Sequence, residues 1–106
     1  VNNHLGTAHA GAVYTLGESA SGAVVLAMFA DVLPGAFIAL KSSRVTHSKA
    51  AKGDVLATAT TAGDPAAIRA TYDETGKVDF DVAVALTVGD VATADIVYTW
   101  AVRAPR

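Results

Sequence analysis

The sequence predicts an α+β domain in which an antiparallel sheet curls around one long central helix. Two observations carry this prediction. An apolar stretch over about residues 9–30 holds a single charge, Glu18, and after it the pattern changes to alternating, strand-like runs joined by short turns. Size is a third constraint, because 106 residues supply one core and little margin for a second.

Each element follows from its local signals. Starting from Thr7 or His9, apolar positions fall on nearly every helical face through Met28 and Phe29, which predicts a helix wrapped on all sides by protein. The run DVLPG ends it, with Pro34 and Gly35 as the turn. From Ala36, AFIALKSSRVTHS mixes apolar and polar positions as a long half-exposed strand does. KAAKGD is a turn, and DVLATATTA alternates as a second strand. In DPAAIRATYDETG, Asp64 is the helix cap, Pro65 takes the first helical position and Gly76 is the stop. VDFDVAVALTV places Val78, Phe80, Val82, Val84 and Leu86 on one face of a third strand. Gly89 and Asp90 turn the chain into a fourth strand, VATADIVYTWAVR. No linker, repeat or low-complexity tract interrupts the chain, so residues 1–106 read as a single domain.

Composition excludes several classes of function. The chain is 52% hydrophobic and 17% charged, with the apolar excess in Ala and Val, which suggests tight packing and an oligomer that hides further surface. A net charge of -2, with no arginine-rich helix or aromatic stacking motif, argues against nucleic acid and anionic membranes as partners. Without cysteine there is no disulfide, thiol catalysis or Cys-based zinc site. His4, His9 and His47 lack ligand spacing, so neither a metal nor a cofactor is expected. The segment from Ala10 to Ala30 approaches membrane-spanning length. Glu18 at mid-span would cost roughly 2.5–3.5 kcal/mol on insertion scales, and no Lys or Arg flanks the segment closely, so a buried helix is expected instead. No basic segment leads into an apolar one at the start, which gives a cytoplasmic expectation.

The stretch NHLGTAHAGAVYTLGESASG, followed by a long strand, KGD and a strand pair ending VYTWAVR, resembles the hotdog fold. More narrowly it is similar to the thioesterase superfamily of PaaI-like and 4-hydroxybenzoyl-CoA thioesterases, within an uncharacterised branch that shares the N-H-L-G-T-x-H-A-G-A opening. In such enzymes an Asn precedes a His-Gly-Gly motif by six residues, and an Asp or Glu lies nine residues after the His. Asn3, His9 and Glu18 match that spacing, while Ala10 stands where the enzymes carry the first glycine. Family members usually have a β-strand, and often a helix, before the Asn, so in a chain that opens at Val1 either the usual first strand is missing or the sheet edge is built differently. It also implies an acyl-CoA substrate, hydrolysis of its thioester, and a homodimer or dimer of dimers. By the same resemblance, Glu18 acts on water or directly on the thioester carbonyl, and Asn3 orients the nucleophile. A dehydratase of this fold fits less well, because the histidine-and-glutamate pattern of those enzymes is missing.

The residues themselves admit this chemistry. Thioester hydrolysis needs a base or nucleophile, donors for the developing oxyanion and a slot for the acyl chain. Residues 9 to 11 lie where the helix should begin, so the N–H of Ala10 or Gly11 is available to polarise a carbonyl. Alanine keeps that N–H but adds a methyl where close approach matters. Glu18 lies two turns beyond Gly11 on the same face, yet on the face opposite His9. His9 and Glu18 therefore serve one centre only if they come from different subunits. A carboxylate in so apolar a setting is expected to have a raised pKa. Between Asp31 and Asp54 every charged residue is basic, and Arg44, Lys49 and Lys52 are candidates for binding CoA phosphates beside Lys41 and His47.

Plainer readings stand beside these. Glu18 also fits a satisfied interface carboxylate hydrogen-bonded to Ser19 or Ser21, His9 a loop brace, Asn3 a turn or cap residue, and the basic strip a solvated strand face. Val13, Tyr14, Leu16, Phe29 and Phe37 fit an acyl slot or simply core, and Tyr98 and Trp100 share one strand face as packing residues. A non-catalytic hotdog module that binds acyl-CoA, or serves only in assembly, is the alternative to the enzyme.

Overall fold

The computed structural model describes residues 10–33, 35–47 and 54–105, the side chains of 10–13 and 47 excepted. Helix α1 (Ala10–Phe29) is followed by strand β1 (Phe37–His47), strand β2 (Leu56–Thr61), helix α2 (Pro65–Thr75), strand β3 (Lys77–Val88) and strand β4 (Val91–Arg103). The strands form one antiparallel sheet in the order β1-β4-β3-β2, and α1 lies across one face of it. The α+β architecture expected from the pattern is the one observed.

Local signals set α2 as anticipated. The Asp64 carboxylate accepts from the Ala66 N–H at 3.0 Å, Pro65 occupies the first turn, and Gly76 closes the helix at φ 76° with its N–H on the Tyr72 carbonyl. Arg69 then fastens α2 to the end of α1. Its guanidinium grips both Asp31 oxygens at 2.6 and 2.8 Å, reaches Asp73 at 3.0 Å, and donates to the Met28 carbonyl at 3.2 Å. A cation at a helix C-terminus meets carbonyls without helical partners, so Arg69 satisfies one and complements the dipole.

The inner face of the sheet follows strict alternation. Val78, Phe80, Val82, Val84 and Leu86 of β3 are buried opposite Val102, Trp100, Tyr98, Ile96 and Ala94 of β4. Strand β1 departs from it: the register slips between Leu40 and Ser42, so Leu40 faces Trp100 but Ser43 faces Tyr98. This bulge explains why the β1 sequence mixes its two faces, since even positions point inward before it and odd positions after it.

Helix α1 is covered differently from the expectation. Gly17, Ser21, Val25 and Phe29 form one buried stripe against the sheet, whereas Ser19, Ala23, Leu26, Ala27 and Ala30 are exposed, Leu26 by 52%. A four-stranded sheet reaches one side of a helix, and small residues on the other side keep the composition apolar without supplying a partner. By length and composition α1 passes as a membrane span over Tyr14–Val32, yet this stripe packs on the sheet.

Gly17 lets α1 approach the sheet at Tyr98. A Cβ on residue 17 would stand 2.5 Å from the Tyr98 hydroxyl and 3.3 Å from the ring. Glycine to alanine in an exposed helix adds about 1 kcal/mol of stability. Here overpacking opposes it by about 1–3 kcal/mol, so Gly17→Ala is expected to lower the urea midpoint. A raised midpoint would show that α1 is free to lift from Tyr98.

On the outer face Asp79 pairs with Lys41 at 2.7 Å and Arg103 at 2.8 Å. The Lys41 hydrogen bond first, then Arg103, holds its carboxyl below the ordinary carboxylate value, and Arg69 does the same for Asp31. A folded pKa depressed in this way contributes stability at pH values above the unfolded pKa, about 3.9, and loses it as pH falls through and below that value. Stability to urea is therefore expected to fall below about pH 4, and less steeply in an Asp31→Asn/Asp79→Asn variant. Both pairs are solvent-exposed, so the difference should be modest and shrink in salt.

Candidate functional site

The start of α1 and the turn carrying Glu18 define the candidate site. The helix begins at Ala10, so Ala10 and Gly11 belong to its first turn, where backbone N–H groups lack helical acceptors. Glu18 is half-buried at the edge of the buried stripe. Among the described residues nothing hydrogen-bonds its carboxylate. Among the described residues, the sheet covers one side of α1 and leaves Glu18 half-buried. Ser21 does bond to Glu18, but through the backbone: its hydroxyl donates to the Glu18 carbonyl at 2.9 Å.

Three side chains of the sheet meet this part of α1. The Tyr98 hydroxyl donates to the Tyr14 carbonyl at 2.6 Å, and the Trp100 indole N–H donates to the Ser21 oxygen at 3.1 Å. The Tyr14 hydroxyl and Ser43 on β1 share a hydrogen bond of 2.9 Å, and the rings of Tyr14 and Tyr98 lie 5.4 Å apart, tilted by 54°. Burial chiefly, then the neighbouring Tyr14 and Glu18, pushes the Tyr98 phenol far above its ordinary value, so it stays a donor at any working pH. The strand pattern puts Tyr98 and Trp100 on one face, where packing is the plain expectation. Their spacing of two is the available signal, and it does not say which helical oxygen the Tyr98 hydroxyl or the Trp100 indole reaches.

The other predicted residues divide by position. Asn3, His9, Lys49 and Lys52 lie outside the described residues, as does any strand preceding residue 10. Arg44 is exposed on β1 opposite Val97, one residue from the inward Ser43, and so points to the sheet face away from α1 and Glu18. The residues suggested for an acyl slot or for core separate by position. Phe29 is wholly buried, stacked on Phe80 and edge-on to Tyr72, while Phe37 is 65% exposed at the start of β1. Tyr14 and Leu16 pack with the cluster around Tyr98 and Ile96. Among the described residues no group of three His, Asp or Glu side chains is placed to hold a metal.

Three solved structures share this architecture. The Pseudomonas aeruginosa protein of unknown function PA5026, named a probable thioesterase, superposes with a TM-score of 0.76 at 24% identity, over 97% of this chain and 69% of its own. BH2602 from Bacillus halodurans, solved with CoA, gives a TM-score of 0.66 at 18% identity, over 96% of this chain and 60% of its own. The smu.793 protein of Streptococcus mutans UA159, bound to acetyl CoA, gives 0.61 at 24% identity, over 98% of this chain and 73% of its own. The fold is the hotdog fold, a long helix against an antiparallel sheet. No curated relative matches the chain. Within that fold, the chain belongs to the family described as a domain of unknown function (DUF4442), which it matches over residues 1–102.

Proposed function

We propose that this protein is an acyl-CoA thioesterase whose site is shared between subunits. Glu18 is the general base or nucleophile, Asn3 orients the attacking group, and the N–H groups of Ala10 and Gly11 receive the oxyanion. His9 braces the loop electrostatically. Arg44, Lys49 and Lys52 attract the phosphates of CoA, with Arg44 acting from the far face of the sheet. The CoA and acetyl CoA bound by structural neighbours support the ligand class.

The observation that carries the reading is a half-buried carboxylate with no hydrogen-bond partner among the described residues, on a helix whose first turn holds N–H groups without helical acceptors. The spacing of these groups supports a shared site. Eight residues of helix separate Ala10 from Glu18, about 12 Å along the axis. A base and an oxyanion donor each need to lie about 3 Å from the reacting group, so one chain does not readily supply both. Among the described residues, the outer side of α1, where Leu26 is 52% exposed, and the edge strand β2, where Leu56 is 64% exposed, are surfaces that a second copy would cover.

Ala10, standing where thioesterases of the superfamily carry the first glycine, favours the second reading, a hotdog module that binds acyl-CoA or assembles without hydrolysing it. Hydrolysis assays against short, long and aryl acyl-CoAs, with Glu18→Ala beside the wild type, separate the two. Turnover that Glu18→Ala abolishes supports the enzyme. Saturable CoA binding with equal, negligible turnover in both proteins supports the binding module. Sedimentation should give a dimer or tetramer at micromolar concentration, and a monomer would sink the shared site.

A further inference from the structure

We propose that Tyr98 and Trp100 of β4 are positioning residues that fix the reach of the Glu18 carboxylate; this rests on the catalytic reading of Glu18 given above. Tyr98 bonds to a carbonyl of α1 and Trp100 to a hydroxyl, and both acceptors are partners of the Glu18 backbone. In an α-helix each N–H donates to the carbonyl four residues earlier, so the Tyr14 carbonyl is the acceptor for the Glu18 N–H. Tyr98 donates to that same oxygen at 2.6 Å. The Glu18 carbonyl is in turn the acceptor for the Gly22 N–H, and it receives the Ser21 hydroxyl at 2.9 Å. Ser21 is the buried polar side chain of α1 and takes the Trp100 N–H at 3.1 Å, so its donor and acceptor are both used.

The N–H and the carbonyl of Glu18 are thereby each linked to one strand through a shared partner, the Tyr14 carbonyl for Tyr98 and the Ser21 hydroxyl for Trp100. Further along α1, Val25 and Phe29 meet the sheet through apolar contact, which resists separation but leaves sliding and rotation less defined. The directed bonds fall at the turn carrying the carboxylate. Gly17 completes the arrangement, because any side chain there would displace the Tyr98 hydroxyl. The phenol stays protonated, so the tether holds across the pH range in which a carboxylate base would work. Catalysis by a positioned base depends on placement of the reacting atoms to within about 1 Å. A tether of the backbone on both sides of the base supplies such placement without touching substrate.

The test combines amide exchange with kinetics in Tyr98→Phe and Ser21→Ala, variants that keep the Tyr98 and Trp100 rings in place. Tyr98→Phe should speed exchange at the Glu18 amide, and Ser21→Ala at the Gly22 amide, by about tenfold, with Val82, Val84 and Ile96 unchanged. Each should lower kcat about tenfold with KM held within about twofold. Unchanged exchange at both amides overturns the tether, whether or not the protein turns over substrate. Faster exchange with unchanged kcat, in a protein whose turnover needs Glu18, overturns the positioning role alone, as does a loss confined to thermal stability. Turnover indifferent to Glu18→Ala overturns the catalytic reading and this role with it.

Discussion

Phe29→Ala is expected to destabilise the domain by about 3–5 kcal/mol. Phe29 is fully buried at the end of α1, with its ring 5.9 Å from Phe80 on β3 and 5.3 Å from Tyr72 on α2. The Arg69 guanidinium lies 5.6 Å from its centroid. One side chain therefore joins both helices and the sheet, and its removal leaves a cavity lined by groups that the backbone holds apart. Aromatic pairing adds about 0.5–1.5 kcal/mol beyond area burial, and domains of this size are stable by only about 5–15 kcal/mol. Thermal unfolding of Phe29→Ala should start some 15–30 °C lower. Phe29→Leu should recover much of the loss, because it refills most of the volume. A Phe29→Ala protein within about 1 kcal/mol of wild type in urea would mean that α2 and the end of α1 close over the gap.

Glu18→Gln is expected to lower kcat by about 10²–10⁴-fold with KM changed only a few-fold, since a general base acts in the transition state more than in binding. The same change should leave the urea midpoint nearly untouched, because nothing among the described residues hydrogen-bonds the carboxylate. The contrast between the two measurements is the informative part. A structural carboxylate satisfied inside the fold would give the reverse, a drop in stability with turnover preserved. Gln keeps the size and the acceptor oxygen but cannot take a proton, so the comparison isolates the base.

Elements governed by near neighbours along the chain are legible in the amino-acid sequence alone. Asp64, Pro65 and Gly76 act on backbone groups within four residues, so the bounds of α2 can be read directly. The alternation of β3 is equally clear, because all five of its inward positions are apolar. The β1 pattern is ambiguous for a cause invisible in one strand: the bulge at Lys41 depends on how β4 pairs with it. Helix α1 departs from expectation for a related reason. Alanines on its outer side look the same in sequence whether sheet, subunit or water covers them.

Glu18 shows the same division at the site. Its sequence context determined that a lone carboxylate sits two turns into an apolar helix, and the spacing of Asn3, His9 and Glu18 pointed to a thioesterase-like fold. Chain-local signals suffice for that, because helix phase and caps depend on residues a few positions apart. Only the tertiary structure decided that Tyr98 bonds to the Tyr14 carbonyl and Trp100 to the Ser21 hydroxyl, that Ser43 meets Tyr14, and that Arg44 faces the other way. Those contacts span up to 84 residues of chain and follow from strand register, crossing position and the room left by Gly17, which are properties of the packed whole.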